Sequence, residues 1–156
     1  MIAFRHIKKL LRNSLYCSVA TVQNDVPHCS PIGSVYLLNE HHGYYLEMFT
    51  QSVRRAQANN SKGCILVVNT SLIFWLKSLF RGNFVTPPAV RLVVQFGEKR
   101  ASTEEEQDKF RSRVSLFKRL KGHKIMWSKP SHVREFSVEK IIPVSLGKMT
   151  AVDYSH

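Results

Sequence analysis

Phe49-Thr-Gln-Ser-Val-Arg-Arg55 places two hydroxyls and two guanidinium groups directly after an apolar, strand-like run, Tyr44 to Phe49. A helix opening at Ser52 would aim free N–H groups and the positive end of its dipole beyond the strand. With Thr50, Ser52, Arg54 and Arg55 at that junction, the chemistry is recognition of a phosphate monoester. Hydroxyls and amides donate, and each arginine can hold two phosphate oxygens. The plainer alternative is a capped, solvated helix start. No paired carboxylates, Ser–His–Asp order or Gly-rich phosphate loop accompany the segment. His28, His123 and His132 lack His-x-x-x-His spacing and neighbouring acids, so no metal site is expected. His41-His42 falls in a turn, where exposed, inert side chains are expected. Cys17, Cys29 and Cys64 lack Cys-x-x-Cys spacing and sit in apolar strand contexts, which fits reduced, partly buried thiols.

The elements that must position these groups follow from periodicity and punctuation. Ile2, Ile7, Leu10 and Leu11 fall at roughly helical spacing among basic residues, predicting a short amphipathic helix packed at one end of the core. Its length and few aromatics argue against a membrane-lying role. Leu15–Val22, His28–Leu38, Tyr44–Phe49, Cys64–Asn69, Val90–Phe96 and His132–Val144 read as strands. Asn24-Asp25 and Asn39-Glu-His-His-Gly43 are turns between them, and Pro31 and Gly33 mark irregular backbone. Ser52–Asn60 reads as a helix, with Ser52 at its N-cap. Ile73–Phe80 is an apolar, aromatic-rich excursion, read either as a core-capping helix or as a lid carrying Phe74, Trp75 and Phe80. Ser102 and Thr103 each precede a glutamate by three residues, a doubled capping-box pattern opening a helix that runs to about Leu120. Six or so strands, a hairpin-rich first half and few helices point to a β-barrel with peripheral helices.

The chain of 156 residues is expected to form a single domain, residues 1–156. It carries 23 Lys+Arg against 11 Asp+Glu, a formal charge of +12, which favours anionic partners without choosing among them. Between Lys109 and Arg134 no acid interrupts seven further cations from Arg111 to Lys129, which suits a solvated helix face or an anion-binding rim. No stretch of about 18 uninterrupted apolar residues occurs, and the N-terminus lacks the apolar centre of a signal peptide. A cytoplasmic protein with no membrane partner is the expectation. Nucleic acid is an unexpected partner too, because the aromatics fall inside apolar runs instead of alternating with basic residues.

Ser18-Val-Ala-Thr-Val22, Pro27-His-Cys-Ser-Pro-Ile-Gly33, Tyr44 to Thr50 and Ser52-Val-Arg-Arg55, in this order and spacing, resemble the flavin-binding split-barrel proteins related to pyridoxamine 5′-phosphate oxidase. Ile65–Val68, Val93–Gly97 and the glutamate-started helix extend the resemblance over about Leu15 to Phe117. It implies a six-stranded split β-barrel, a homodimer, and FMN lying in grooves between the subunits. It places the FMN phosphate at Thr50, Ser52, Arg54 and Arg55, after Phe49, with either arginine standing for the usual family lysine. Ser30, Pro31, Ile32 and Gly33 would run beside the flavin ring, their backbone groups pairing to its polar edge. Arg91 resembles a family arginine, although the adjacent glutamine is Leu92 here; a plain surface arginine is the alternative. Trp127 would stack on the flavin or substrate of the neighbouring subunit, or else belong to the core.

The function that follows from the resemblance is FMN binding by a flavin-dependent oxidoreductase of an unassigned small molecule, with NAD(P)H as a possible donor. The true oxidase has a C-terminal arginine–histidine motif, whereas this sequence ends Gly147-Lys-Met-Thr-Ala-Val-Asp-Tyr-Ser-His156. The vitamin B6 reaction is therefore not expected. The alternatives are a non-catalytic flavin or haem carrier or sensor, with His123 or His132 as axial ligand, and a reductase using the deazaflavin F420. No side chain stands out as general acid or base.

Overall fold

The computed structural model describes residues 4–14, 16–47, 61–115 and 132–150. Helix α1 (Phe4–Asn13) leads into strands β1 (Cys17–Gln23), β2 (Val26–Ile32), β3 (Val35–Leu37) and β4 (His42–Leu46). Strand β5 (Lys62–Val68), helix α2 (Leu72–Arg81), strand β6 (Ala89–Ala101), helix α3 (Glu104–Arg113) and strand β7 (His132–Pro143) follow, then a 3₁₀ turn at Gly147–Met149. The strands form one sheet in the order β2-β1-β5-β6-β7-β4-β3, with every pairing antiparallel.

That order has a geometric consequence. The two end strands, β2 and β3, are consecutive in the chain and separated only by Gly33 and Ser34. A sheet whose opposite ends are joined by two residues must curl onto itself, leaving a seam between β2 and β3. The expected strand His28–Leu38 is therefore two strands, and the sheet has seven strands in place of six. The chain pairs with β1 up to Ile32 and with β4 from Val35, changing partner across Gly33 and Ser34. Ser34, buried there, takes over the ladder's role: its hydroxyl donates to the Leu46 carbonyl (3.3 Å) and accepts from the Leu46 amide (3.1 Å). The fold is thus the split barrel, mainly antiparallel β with helices at its periphery.

Alternation fills the interior. Val19, Ile65, Val67, Leu92, Val94, Tyr45 and Phe136 point inward, and α1 plugs one end with Ile7, Leu10 and Leu11, as its spacing predicts. Strand glycines make room for rings: Gly43 of β4 lies under the Phe136 ring and Gly63 of β5 under that of Phe96. The Asn24-Asp25 turn has φ of 48° and 60°, the left-handed pair that a two-residue hairpin requires.

The excursion after β5 is a helix held at both ends. Ser71 caps its start, accepting from the Phe74 amide (3.4 Å), and Gly82 ends it at φ 71°. The Trp75 indole donates to the Asn69 carbonyl (2.6 Å), and Phe74, Trp75 and Phe84 pack ring on ring. Phe74 and Trp75 are therefore packed, while Phe80 is 91% exposed. The excursion is thus a helix packed on one side through Phe74 and Trp75 and exposed on the other through Phe80.

The α3 start resolves the doubled capping signal into one box, Thr103 with Glu106; Ser102 instead accepts from the Gln107 amide group (3.0 Å). Glu106 also takes two hydrogen bonds from Arg100 (2.9 and 2.7 Å), whose Nε donates to Glu135 (2.6 Å). This joins the end of β6, the start of α3 and β7. Hydrogen bonds from Arg100 hold the Glu106 carboxyl below its ordinary pKa against the opposing pull of burial. A lowered carboxylate pKa stabilises the fold above the unfolded value and withdraws that support as pH falls through the folded value. Glu106→Gln is expected to cost about 1–2 kcal/mol at neutral pH, the exposure of Arg100 reducing the full charged-bond value. Melting curves should then show the parent losing stability below about pH 4.5 more steeply than the variant; parallel acid limbs would contradict the assignment.

Candidate functional site

The expected phosphate anchor (Phe49, Thr50, Ser52, Arg54 and Arg55) and Trp127 lie outside the described residues. The helix expected to run to about Leu120 ends earlier, at Arg113, where Val114 leaves helical geometry as its C-cap. The other expected residues are placed. Ser30 and Ile32 pair with Val19 and Cys17 and turn toward the barrel interior; Pro31 pairs with Ser18 and faces outward, and Gly33 is exposed at the seam. Only Pro31, Gly33 and backbone can meet a ligand on the outside. Among the described strands β2 ladders with β1 alone.

Arg91 is exposed and on the same outer face. Cross-strand register runs Pro31–Ser18–Leu66–Arg91–Ile142, which puts Arg91 three strand spacings from Pro31, about 14 Å. It borders the same surface and is not beside the seam.

A concentration of charge lies elsewhere, against β3. A cleft of about 970 Å³ opens between α1, β3 and α3, lined by Arg5, Lys8, Lys9, Arg12, Lys109 and Arg113, with no carboxylate among the described residues of its wall, although Glu105 pairs with Lys109 (2.7 Å). Local structure explains the gathering. Burying Ile7, Leu10 and Leu11 turns the basic face of α1 outward, and burying Phe110 points Lys109 and Arg113 back toward it. Arg113 Nη2 donates to the carbonyls of Leu11 (3.0 Å) and Ser14 (2.7 Å), satisfying groups that the end of α1 leaves without helical partners. The same guanidinium lies over the Tyr36 ring, 5.8 Å from its centroid.

Tyr36 forms part of the cleft wall and stacks on Tyr44 (centroids 5.2 Å apart, 21°). Its buried hydroxyl has no hydrogen-bond partner of good geometry. Burial raises its pKa, with Arg113 partly opposing the rise, so the phenol stays protonated. Burial also pushes the Cys17 thiol up to about 12, which keeps it protonated, while Cys29 is exposed instead of partly buried.

Glu47 closes the β4 side just before the anchor segment. Its carboxylate, 5% exposed, sits 3.4 Å from Arg134 Nη2 and 3.9 Å from Lys99 Nζ. The pairing neutralises a buried negative charge, and the buried Arg134 Nε has no hydrogen-bond partner among the described residues. No three His, Cys, Asp or Glu side chains gather as a metal site among the described residues.

Sequence reasoning identified Lys109 and Arg113 within a basic run but missed Tyr36, Glu47, Arg134 and the α1 cations as site residues. The one available signal was the absence of any acid before Asp25.

No family model and no curated protein matches the chain. Solved structures do share its fold. An FMN-binding protein from Syntrophomonas wolfei subsp. wolfei aligns at 16% identity over 91% of this chain and 88% of that one, with a TM-score of 0.61. HupZ of Group A Streptococcus aligns at 19% over 93% and 100%, TM-score 0.58. A provisional pyridoxamine 5′-phosphate oxidase from Lactobacillus delbrueckii aligns at 16% over 90% and 93%, TM-score 0.55.

Proposed function

We propose that this protein binds FMN and works as a flavin-dependent oxidoreductase on a small anionic molecule, as a homodimer. The observation that carries the reading is the cationic cleft beside β3, on a fold shared with an FMN-binding protein. Ser30 to Gly33 would lie along the flavin ring and Arg54 or Arg55 would hold the cofactor phosphate. Arg113 and the α1 cations would receive an anionic group of the substrate in the cleft. Bound FMN supplies hydride or single-electron transfer. The chain contributes anion binding and ring orientation. Dimer formation is supported by the outer face of β1, β2, β5 and β6. Val22 is 44% exposed there, and half-buried Leu66 and Val93 extend that apolar surface.

Titrating the purified protein with FMN, followed by absorbance and light scattering, tests this reading. Saturable, near-stoichiometric binding by a two-chain particle is expected, with the bound flavin reduced by NAD(P)H and reoxidised on adding an acceptor. Failure to bind FMN at tens of micromolar overturns it; binding without any turnover identifies a carrier; preferential binding of F420 or haem reassigns the cofactor.

A further inference from the structure

Helix α2 presents an apolar stripe to solvent that neither the barrel nor the FMN reading uses. Leu72, Ile73, Leu76, Leu79 and Phe80 are 77%, 66%, 52%, 62% and 91% exposed. At 100° per residue they form one stripe roughly 120° wide, the width by which a surface helix normally faces its core. Here that stripe is the outward one. The inward face is already occupied: Ser78 is buried, Phe74 and Trp75 pack on Phe84, and the indole bond to Asn69 prevents the helix from rolling. Val85, just past the helix, is also exposed (67%).

The surroundings are cationic. Lys77 borders the stripe on the helix itself, and Arg81 sits in the last turn. A cleft of about 320 Å³ shared by α1 and α2 brings His6 and Lys9 to the side of Lys77. No acid occurs from residue 1 to 24 or from residue 61 to 97, the two stretches that carry these helices.

We infer that this end of the molecule docks on an anionic lipid surface, with α2 lying in the interface plane and its five apolar side chains entering the headgroup–acyl boundary. Apolar residues surrounded by lysine and arginine combine the two attractions such docking needs. A second copy of the chain is the poorer occupant on two grounds. A two-fold contact sets a surface against itself, so Lys77, Arg81 and Lys9 would face their own duplicates. A ten-residue helix is about 15 Å long and offers far less than the roughly 800 Å² per partner of a stable dimer. The inference revises the expectation, drawn from the sequence, of a protein without a membrane partner. It stands independently of the FMN reading.

Flotation with vesicles of phosphatidylcholine alone, and with an equal part of phosphatidylglycerol, tests it on the full chain. Binding is expected to the anionic vesicles only and to weaken as salt rises from 50 to 300 mM. Leu79→Ser/Phe80→Ser and Lys77→Glu/Arg81→Glu should each lower the affinity at least about tenfold. Their melting temperatures should match the parent's, since these side chains are exposed. Absence of flotation with anionic vesicles overturns the inference. So does equal flotation of the Leu79→Ser/Phe80→Ser variant, which would place the contact elsewhere. A dimer-to-monomer change in that variant by light scattering also overturns it, assigning the stripe to a second copy.

Discussion

Phe136→Ala is expected to destabilise the protein by about 3–5 kcal/mol, lowering the melting temperature by about 10 °C. Phe136 is 2% exposed and belongs to β7, directly opposite Gly43 of β4. Its ring fills the space a side chain at position 43 would take: a Cβ built on Gly43 falls 2.5 Å from Phe136 Cζ and 2.5 Å from the Tyr36 carbonyl oxygen. Truncating the ring therefore opens a void over a residue that has no side chain to collapse into it. Backbone on both strands is fixed by the ladder, so relaxation is limited and the cavity cost is high. Phe80→Ala, an identical change on a 91% exposed ring, is expected to stay within about 0.5 kcal/mol. Thermal or urea unfolding of the two variants side by side checks the pair, and similar losses from both would contradict the core assignment.

Arg54→Ala/Arg55→Ala is expected to weaken FMN binding by about 2–5 kcal/mol, roughly 30- to 4,000-fold, by removing the charge-assisted grip on the phosphate. Both arginines lie outside the described residues, but the flanks of their segment are well anchored. The Glu47 amide donates to the His132 carbonyl (3.0 Å), and the Phe96 amide donates to the Ser61 carbonyl (2.6 Å). β4 and β5 are separated in the sheet by β7 and β6, so residues 48–60 join strands three spacings apart, about 14 Å. Glu47, on the threshold of that segment, has its charge answered by Arg134 and Lys99. Fluorescence titration of FMN against parent and variant measures the change. Unchanged affinity, with unchanged melting temperature, would remove these arginines from the cofactor site.

Much of the architecture was legible in the residues because it depends on local rules. Ile7, Leu10 and Leu11 at helical spacing bury as spacing demands, Asn24-Asp25 takes the turn its left-handed tolerance allows, and Thr103 with Glu106 starts a helix by its own side-chain bonds. The barrel seam was not legible. Whether residues 28–38 form one strand or two depends on which neighbours the chain meets on either side of Gly33-Ser34, and those neighbours, β1 and β4, lie on opposite ends of the sheet.

The site divides in the same way. A phosphate-binding junction could be proposed from residues 49 to 55 because its groups are adjacent in sequence. The cationic cleft could not, since Arg12, Tyr36 and Arg113 are far apart along the chain and meet only when α1 and α3 pack on either side of β3. Helix α2 is the clearest instance. Its composition is apolar on nearly every side, so periodicity could not distinguish a buried face from an exposed one; Trp75, Ser78 and Phe84 made that choice. The sequence by itself determined the charge, the strands, the turns and the helix starts, all set by contacts within a few residues. The tertiary structure alone decided the seam, the cleft and the outward face of α2, because each is a relation between segments that no short-range pattern encodes.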